Sequence, residues 1–216
     1  MVKKEECLNQ VREVIDGVLS TVDDDGNPQS RVIDIMLIDE ETVYFLTARG
    51  KDVYKELMAH PQVSYLNLRA NKSVRITGIA KKLDDQKYWI DRMFEENKYM
   101  NNVYPGNARY ILEPFRIEKG EIEFFDLTQK PILREKFTIW DWQIKEKGYV
   151  LSEECIECGT CQELCPQKVI SEGSPFKIAQ NHCLHCGLCY ENCPSEAIRR
   201  IGWKSTDYYS PLFLKQ

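Results

Sequence analysis

Leu8, Val11, Ile15, Val18 and Leu19 recur at the three- and four-residue steps of one helical face, so the chain is expected to open with a single helix through residue 19. Asp23-Asp24-Asp25-Gly26-Asn27-Pro28 is a turn signal. Beyond it the pattern changes to short β-branched and aromatic runs. QSRVIDIMLI (29–38), TVYFLT (42–47), QVSYLNL (62–68) and SVRITGIAKKL (73–83) are expected strands. KDVYKELMAH (51–60) is an amphipathic helix stopped by Pro61, and 84–100 reads as helical. ARYILEPFRI (108–117) and EIEFFDL (121–127) are expected to form a hairpin about Glu118-Lys119-Gly120. A run of short strands with one or two helices predicts a small β-barrel.

The pattern past residue 128 is different. Phe137, Ile139, Trp140, Trp142 and Ile144 are too apolar for a free linker, so 129–146 is expected to be a connector packed on the barrel or on a partner subunit. Plain packing is the expected role of Trp140 and Trp142. Residues 155–170 (CIECGTCQELCPQKVI) and 183–198 (CLHCGLCYENCPSEAI) match at eight of sixteen positions with an offset of 28, and Tyr149-Val150-Leu151 precedes the first much as Phe176-Lys177-Ile178 precedes the second, with one residue of slippage. This is a duplicated structural unit. The tail, 203–216, is aromatic and is expected to dock.

Eight of the nine cysteines fall after residue 154, inside the repeat, as two C-x2-C-x2-C-x3-C-P motifs. A disulfide framework would spread its cysteines along a secreted chain. A structural zinc site brings together two separate C-x2-C hooks. Three thiolates at two-residue steps suit the corners of an iron–sulfur cube, with the fourth cysteine serving the neighbouring cluster; zinc is the alternative that spacing leaves. His182 and His185 lie beside ligand positions without replacing a cysteine, and are expected to be solvent-facing loop residues. Cys7, alone, is expected to be a half-buried thiol.

With 216 residues the chain suffices for one large domain or two modest ones. No apolar run approaches the ~18 residues of a membrane span, and the charged start MVKKEECLNQ lacks a signal core, so a cytoplasmic protein is expected. A net charge of −5 with interspersed signs offers no electrostatic case for nucleic acid or an anionic membrane.

The cysteine repeat resembles bacterial-type ferredoxins with two [4Fe–4S] clusters, over about 147–202. The resemblance implies one cluster on Cys155, Cys158, Cys161 and Cys193 and another on Cys183, Cys186, Cys189 and Cys165, with Gly159 and Gly187 letting backbone N–H groups approach the sulfurs. The N-terminal order of a DG-x-P turn, Arg31-Val32-Ile33-Asp34, Tyr44-Phe45-Leu46-Thr47, a lysine-bearing helix ending in His60-Pro61-Gln62-Val63, and Val74-Arg75-Ile76-Thr77-Gly78 resembles the split-barrel FMN-binding proteins of the pyridoxamine 5′-phosphate oxidase-like superfamily. That resemblance implies a homodimer with FMN at the subunit interface. Arg31 and Lys51 would hold the phosphate, Val32, Ile33 and Asp34 would line the flavin, Leu46 and Thr47 would add contacts, and Ser73 is a further candidate. Two departures stand out. Asp52-Val53 falls where the oxidase has an Arg-Lys pair, and Met36 falls where it has a substrate-facing lysine, so oxidation of pyridoxamine phosphate is not expected.

The expected architecture is therefore a mainly β split barrel with flanking helices (1–128), a connector (129–146), a small α+β two-cluster ferredoxin-like domain (147–202) and a tail. The expected function is a flavin/iron–sulfur oxidoreductase passing electrons between two [4Fe–4S] clusters and FMN, and on to a small acceptor or redox partner protein. A non-catalytic electron carrier or redox sensor is the rival reading. A barrel that binds haem or a deazaflavin is a third.

Overall fold

The structure is a computed structural model, and it describes residues 2–202. The expected aromatic tail lies outside the described residues. The chain divides into two compact units, residues 1–124 with 135–144 and residues 125–134 with 145–216. The 129–146 stretch is thus divided between the two units. Among the described residues no helix is long and apolar enough to cross a membrane.

The first unit is built on one curled sheet. Helix α1 (Lys4–Val14) is followed by strands β1 (Asp16–Val22), β2 (Pro28–Asp34), β3 (Leu37–Asp39) and β4 (Thr42–Ala48). Helix α2 (Asp52–Ala59) then leads to β5 (Gln62–Arg69) and β6 (Lys72–Lys82). Helices α3 (Gln86–Glu96) and α4 (Met100–Val103) precede β7 (Leu112–Asp126) and β8 (Leu133–Ile139). The sheet order is β2-β1-β5-β6-β7-β4-β3, with β8 paired to β7. The mainly β split-barrel expectation holds.

The first expected helix is too long. It ends at Val14, Ile15 turns the chain with φ 63°, and Val18 and Leu19 lie on β1. Leu19 points inward, fully buried, and Val18 outward. The alternation of a strand governs these positions because β1 pairs antiparallel with β2 along its whole length, from Asp16↔Asp34 to Val22↔Pro28. The turn between them is held by Asp23, whose Oδ1 accepts the backbone N–H groups of Asp25 (3.0 Å) and Asn27 (2.8 Å).

The expected hairpin about Glu118-Lys119-Gly120 is absent. β7 runs unbroken through it. Gly120 serves a close crossing: a Cβ there would stand 2.4 Å from the carbonyl oxygen of Thr77, and a Cβ on Gly78 would stand 2.0 Å from that of Lys119. The two backbones touch where side chains would hold them apart. The apolar face of α3, through Ile90, Met93 and Phe94, packs with Met36, Tyr44, Leu46 and Leu112 to close one side of the sheet. Cys7 is fully buried rather than half-buried, and burial pushes its thiol up to about 12.

The second unit repeats itself. β9 (Gly148–Leu151) pairs antiparallel with β12 (Ile198–Ile201), and β10 (Ile170–Ser171) with β11 (Lys177–Ile178). Helix α5 (Thr160–Leu164) follows Gly159 (φ 79°), and α6 (Leu188–Glu191) follows Gly187 (φ 85°). The duplication extends to rare backbone states. Glu157 and His185, at matching positions, have φ 56° and 57°, and Lys168 and Glu196 both have φ 54°. Strand β9 contains Tyr149-Val150-Leu151, and β11 covers Lys177 and Ile178 of the segment that the repeat pairs with it.

The crossing sets a stability test. Gly78→Ala is expected to destabilise the protein by about 1–3 kcal/mol through overpacking against backbone that cannot move aside, read from the midpoint of chemical denaturation.

Candidate functional site

The second unit gathers the thiols. One cavity is lined by Cys165, Cys183, Cys186 and Cys189, with Ile170 and Ile178 among its apolar walls. Cys155, Cys161, Cys165, Cys189 and Cys193 pack about the same small core of Tyr149, Phe176 and Ile198. Gly159 and Gly187 place each cysteine loop at the start of a short helix, with Cys161 and Cys189 buried and Cys158 and Cys186 exposed. Burial raises the Cys161 thiol, and neighbouring Cys155 and Cys158 add to the rise. Burial likewise pushes Cys189 up to about 12, with Cys183 and Cys186 reinforcing it. Such thiols are costly to ionise unless a cation compensates them.

Donor chemistry decides what fits there. Cys165, Cys183, Cys186 and Cys189 about one cavity form an all-sulfur donor set of the kind that an iron–sulfur cube takes. The N–H of His185 donates to Cys183 Sγ at 3.4 Å, and Cys158 Sγ lies 3.4 Å from Thr160 Oγ1, the kind of sulfur hydrogen bonding that an iron–sulfur centre uses.

The histidines depart from expectation. His182 Nδ1–H donates to the carbonyl of Ile132 at 2.7 Å, and Ile132 N–H donates to Gln167 Oε1 at 2.9 Å. Arg134 Nη1 lies within 3.2 Å of His185 Nε2 and closer still to Nδ1, while its guanidinium stacks over Phe125, 4.8 Å from the ring centre. Both side chains are partly buried because residues 125–134 fold onto the cysteine loops. Sequence spacing carries no signal for this, since the partners lie about fifty residues away.

In the barrel, β2 is the edge of the sheet, paired with β1 alone, so one row of its backbone groups is open to a ligand or partner. Val32 is 66% exposed on the outer face, while Ile33 and Asp34 are half-buried. Asp34 accepts the Tyr99 hydroxyl at 2.7 Å, and burial, followed by that carboxylate, raises the tyrosine's pKa. Arg31 points to the opposite side from Val32. It pairs with the buried carboxylate of Glu56 at 2.7 Å and hydrogen-bonds Thr21. Lys51 is exposed at the N-cap of α2. Leu46 is buried in the core, and Ser73 is half-buried, opposite Leu68. Thr47 is buried on β4, and its Oγ1 meets no hydrogen-bond partner among the described residues, which leaves one polar valence open. Met36 is core rather than surface. Trp140 donates from Nε1 to Thr42 Oγ1 at 2.9 Å and carries Arg116 over its ring, consistent with plain packing.

Comparison with known proteins follows this division. The family model described as pyridoxamine 5′-phosphate oxidase matches residues 4–123, over half of the chain. The chain belongs to the pyridoxamine 5′-phosphate oxidase family. A 4Fe-4S dicluster domain matches residues 147–198. A ferredoxin of Butyribacterium methylotrophicum is 48% identical over 31 residues, 14% of this chain and 56% of that protein, so the chain spans about half the length of this relative. Among solved structures, a NimC/NimA family protein of Clostridium acetobutylicum shares 18% identity over 62% of this chain and 91% of that one, with a TM-score of 0.53. A heme binding protein of Mycobacterium smegmatis shares 11% identity over 64% of this chain and 59% of that one, with a TM-score of 0.50. At these identities the two structures speak for the barrel fold. This family member thus joins a flavoprotein-type barrel to an iron–sulfur domain, a pairing of redox modules.

The Arg31–Glu56 pair generates a prediction. Arg31→Ala leaves a buried carboxylate unpaired and is expected to destabilise the barrel by about 3 kcal/mol, with Glu56→Gln/Arg31→Ala recovering part of the loss in the same denaturation assay.

Proposed function

We propose that this protein is a flavin/iron–sulfur oxidoreductase that moves electrons between two [4Fe–4S] clusters and FMN, and on to a small acceptor or a redox partner protein. The observation that carries the reading is the cavity bordered by Cys165 of one repeat and Cys183, Cys186 and Cys189 of the other. These four hold one cluster in the proposal, and Cys155, Cys158, Cys161 and Cys193 hold its twin. When bound, the clusters supply single-electron transfer and the flavin interconverts single-electron and two-electron chemistry.

The chain's own residues suit these roles. The open backbone edge of β2 at Val32, Ile33 and Asp34 offers donors and acceptors along a flat ring, and the Thr47 hydroxyl is available for a further bond. Arg31 is engaged by Glu56, so Lys51 at the start of α2 takes the larger share of phosphate binding. Val18, Val32 and Leu66 form one exposed row across β1, β2 and β5, and Leu68 extends it. A second copy covering this row makes the proposed homodimer. The eight thiols belong in a reducing compartment, consistent with the cytoplasm. Met36, buried where the oxidase presents lysine, argues against turnover of pyridoxamine phosphate.

Protein purified without oxygen is expected to contain about eight iron and eight sulfide per chain and about one FMN per chain, with flavin bands beside a broad cluster shoulder. Zinc in place of iron, or a colourless barrel that takes up no FMN, would sink the proposal. Lys51→Ala is expected to weaken FMN binding roughly tenfold, equivalent to about 1.4 kcal/mol, in a fluorescence titration of the deflavinated protein, with thermal stability little changed. Steady-state turnover with reduced ferredoxin or a nicotinamide donor against a panel of acceptors separates an enzyme from a carrier.

A further inference from the structure

The two cysteine loops are near copies in backbone, down to the left-handed residues Glu157 and His185. Two clusters in matching cages would have similar reduction potentials unless side chains outside the cages distinguish them. At the matching position one loop carries a carboxylate. Glu157, exposed, accepts a hydrogen bond from Ser174 at 2.5 Å. The other loop carries His185, against which Arg134 is held. Arg134 does not come from the repeat. It stands on β8, at the end of the 125–134 segment that folds into this unit. That segment is fixed by Ile132, whose N–H and C=O engage Gln167 and His182, and Arg134 is further held by the face of Phe125.

We infer that Arg134 is an electrostatic tuning residue for the cluster on Cys165, Cys183, Cys186 and Cys189, raising its reduction potential above that of the twin on Cys155, Cys158, Cys161 and Cys193. One-electron reduction adds a negative charge to the cluster. A fixed guanidinium beside it favours the reduced form, and the carboxylate of Glu157 beside the twin disfavours it. Arginine suits this post because it stays protonated and stacks on an aromatic face. Electrons entering the pair therefore settle first on the cluster near Arg134. This inference rests on the cluster assignment proposed above.

The test is a potentiometric titration of the full chain, purified anaerobically, with dithionite as reductant and electron paramagnetic resonance as readout. The wild type is expected to show two separated reduction waves. Arg134→Gln should move the upper wave to lower potential and leave the lower wave in place, and Arg134→Lys, which keeps the charge, should retain most of the wild-type separation. Iron content is measured on every sample. An unmoved upper wave in Arg134→Gln overturns the inference. So does an equal shift in both variants, which would report altered packing rather than lost charge, and so does loss of iron from both, which would make Arg134 a scaffold. A wild-type chain that holds no iron would instead overturn the cluster assignment itself.

Discussion

The backbone contact between β6 and β7 is the constraint on which the rest of the molecule depends. Gly78 and Gly120 face each other where an added methyl group would collide with the opposing carbonyl or main chain. That approach lets β7 pass the crossing and continue as one long strand. The same strand pairs with β4 and β8, so it joins the small half of the sheet to the large half. Its final residues enter the second unit, and β8 begins there. A turn at Gly120 would have ended the strand early and left residues 125–134 without a place on the cysteine loops.

The second unit has a different balance of forces. Its apolar core is small, formed about Tyr149, Ile170, Phe176 and Ile198, and thiols make up much of what surrounds it. A domain of this size buries too little apolar surface to be robust alone. Metal binding then contributes folding free energy as well as chemistry. The segment from β7 and β8 adds hydrogen bonds that a bare two-motif unit would lack, through Gln167, His182 and His185. These bonds also hold a permanent cation, Arg134, against His185 in one of the two near-identical cysteine loops.

In the barrel, strand alternation separates buried charge from exposed apolar surface. Arg31 and Val32 are neighbours in sequence, yet strand alternation sends them to opposite faces. Arg31 neutralises a buried carboxylate on α2, while Val32 joins an exposed apolar row. A similar division applies to β4, where Leu46 fills the core and the buried Thr47 hydroxyl lacks a protein partner.

The cysteine spacing, the duplication and the mainly β class were legible in the sequence, because motif spacing, repeats and β-branched runs are local properties of the chain. The sequence also located β4, β5 and β6 to within a residue, but it ran β2 and β3 together as one strand over 29–38, where the chain leaves the ladder at Ile35 and Met36. It merged β1 into the first helix because Val18 and Leu19 happen to continue a helical spacing from Val11 and Ile15, and only pairing with β2 decides between the two periods. It placed a turn at Gly120 because glycine signals both turns and close contacts, and only the position of Gly78 on another strand distinguishes them. The partners of Arg31, His182 and His185 were likewise settled by tertiary structure alone. Each lies more than twenty residues away, and long-range contacts depend on how the sheet curls rather than on any pattern along the chain.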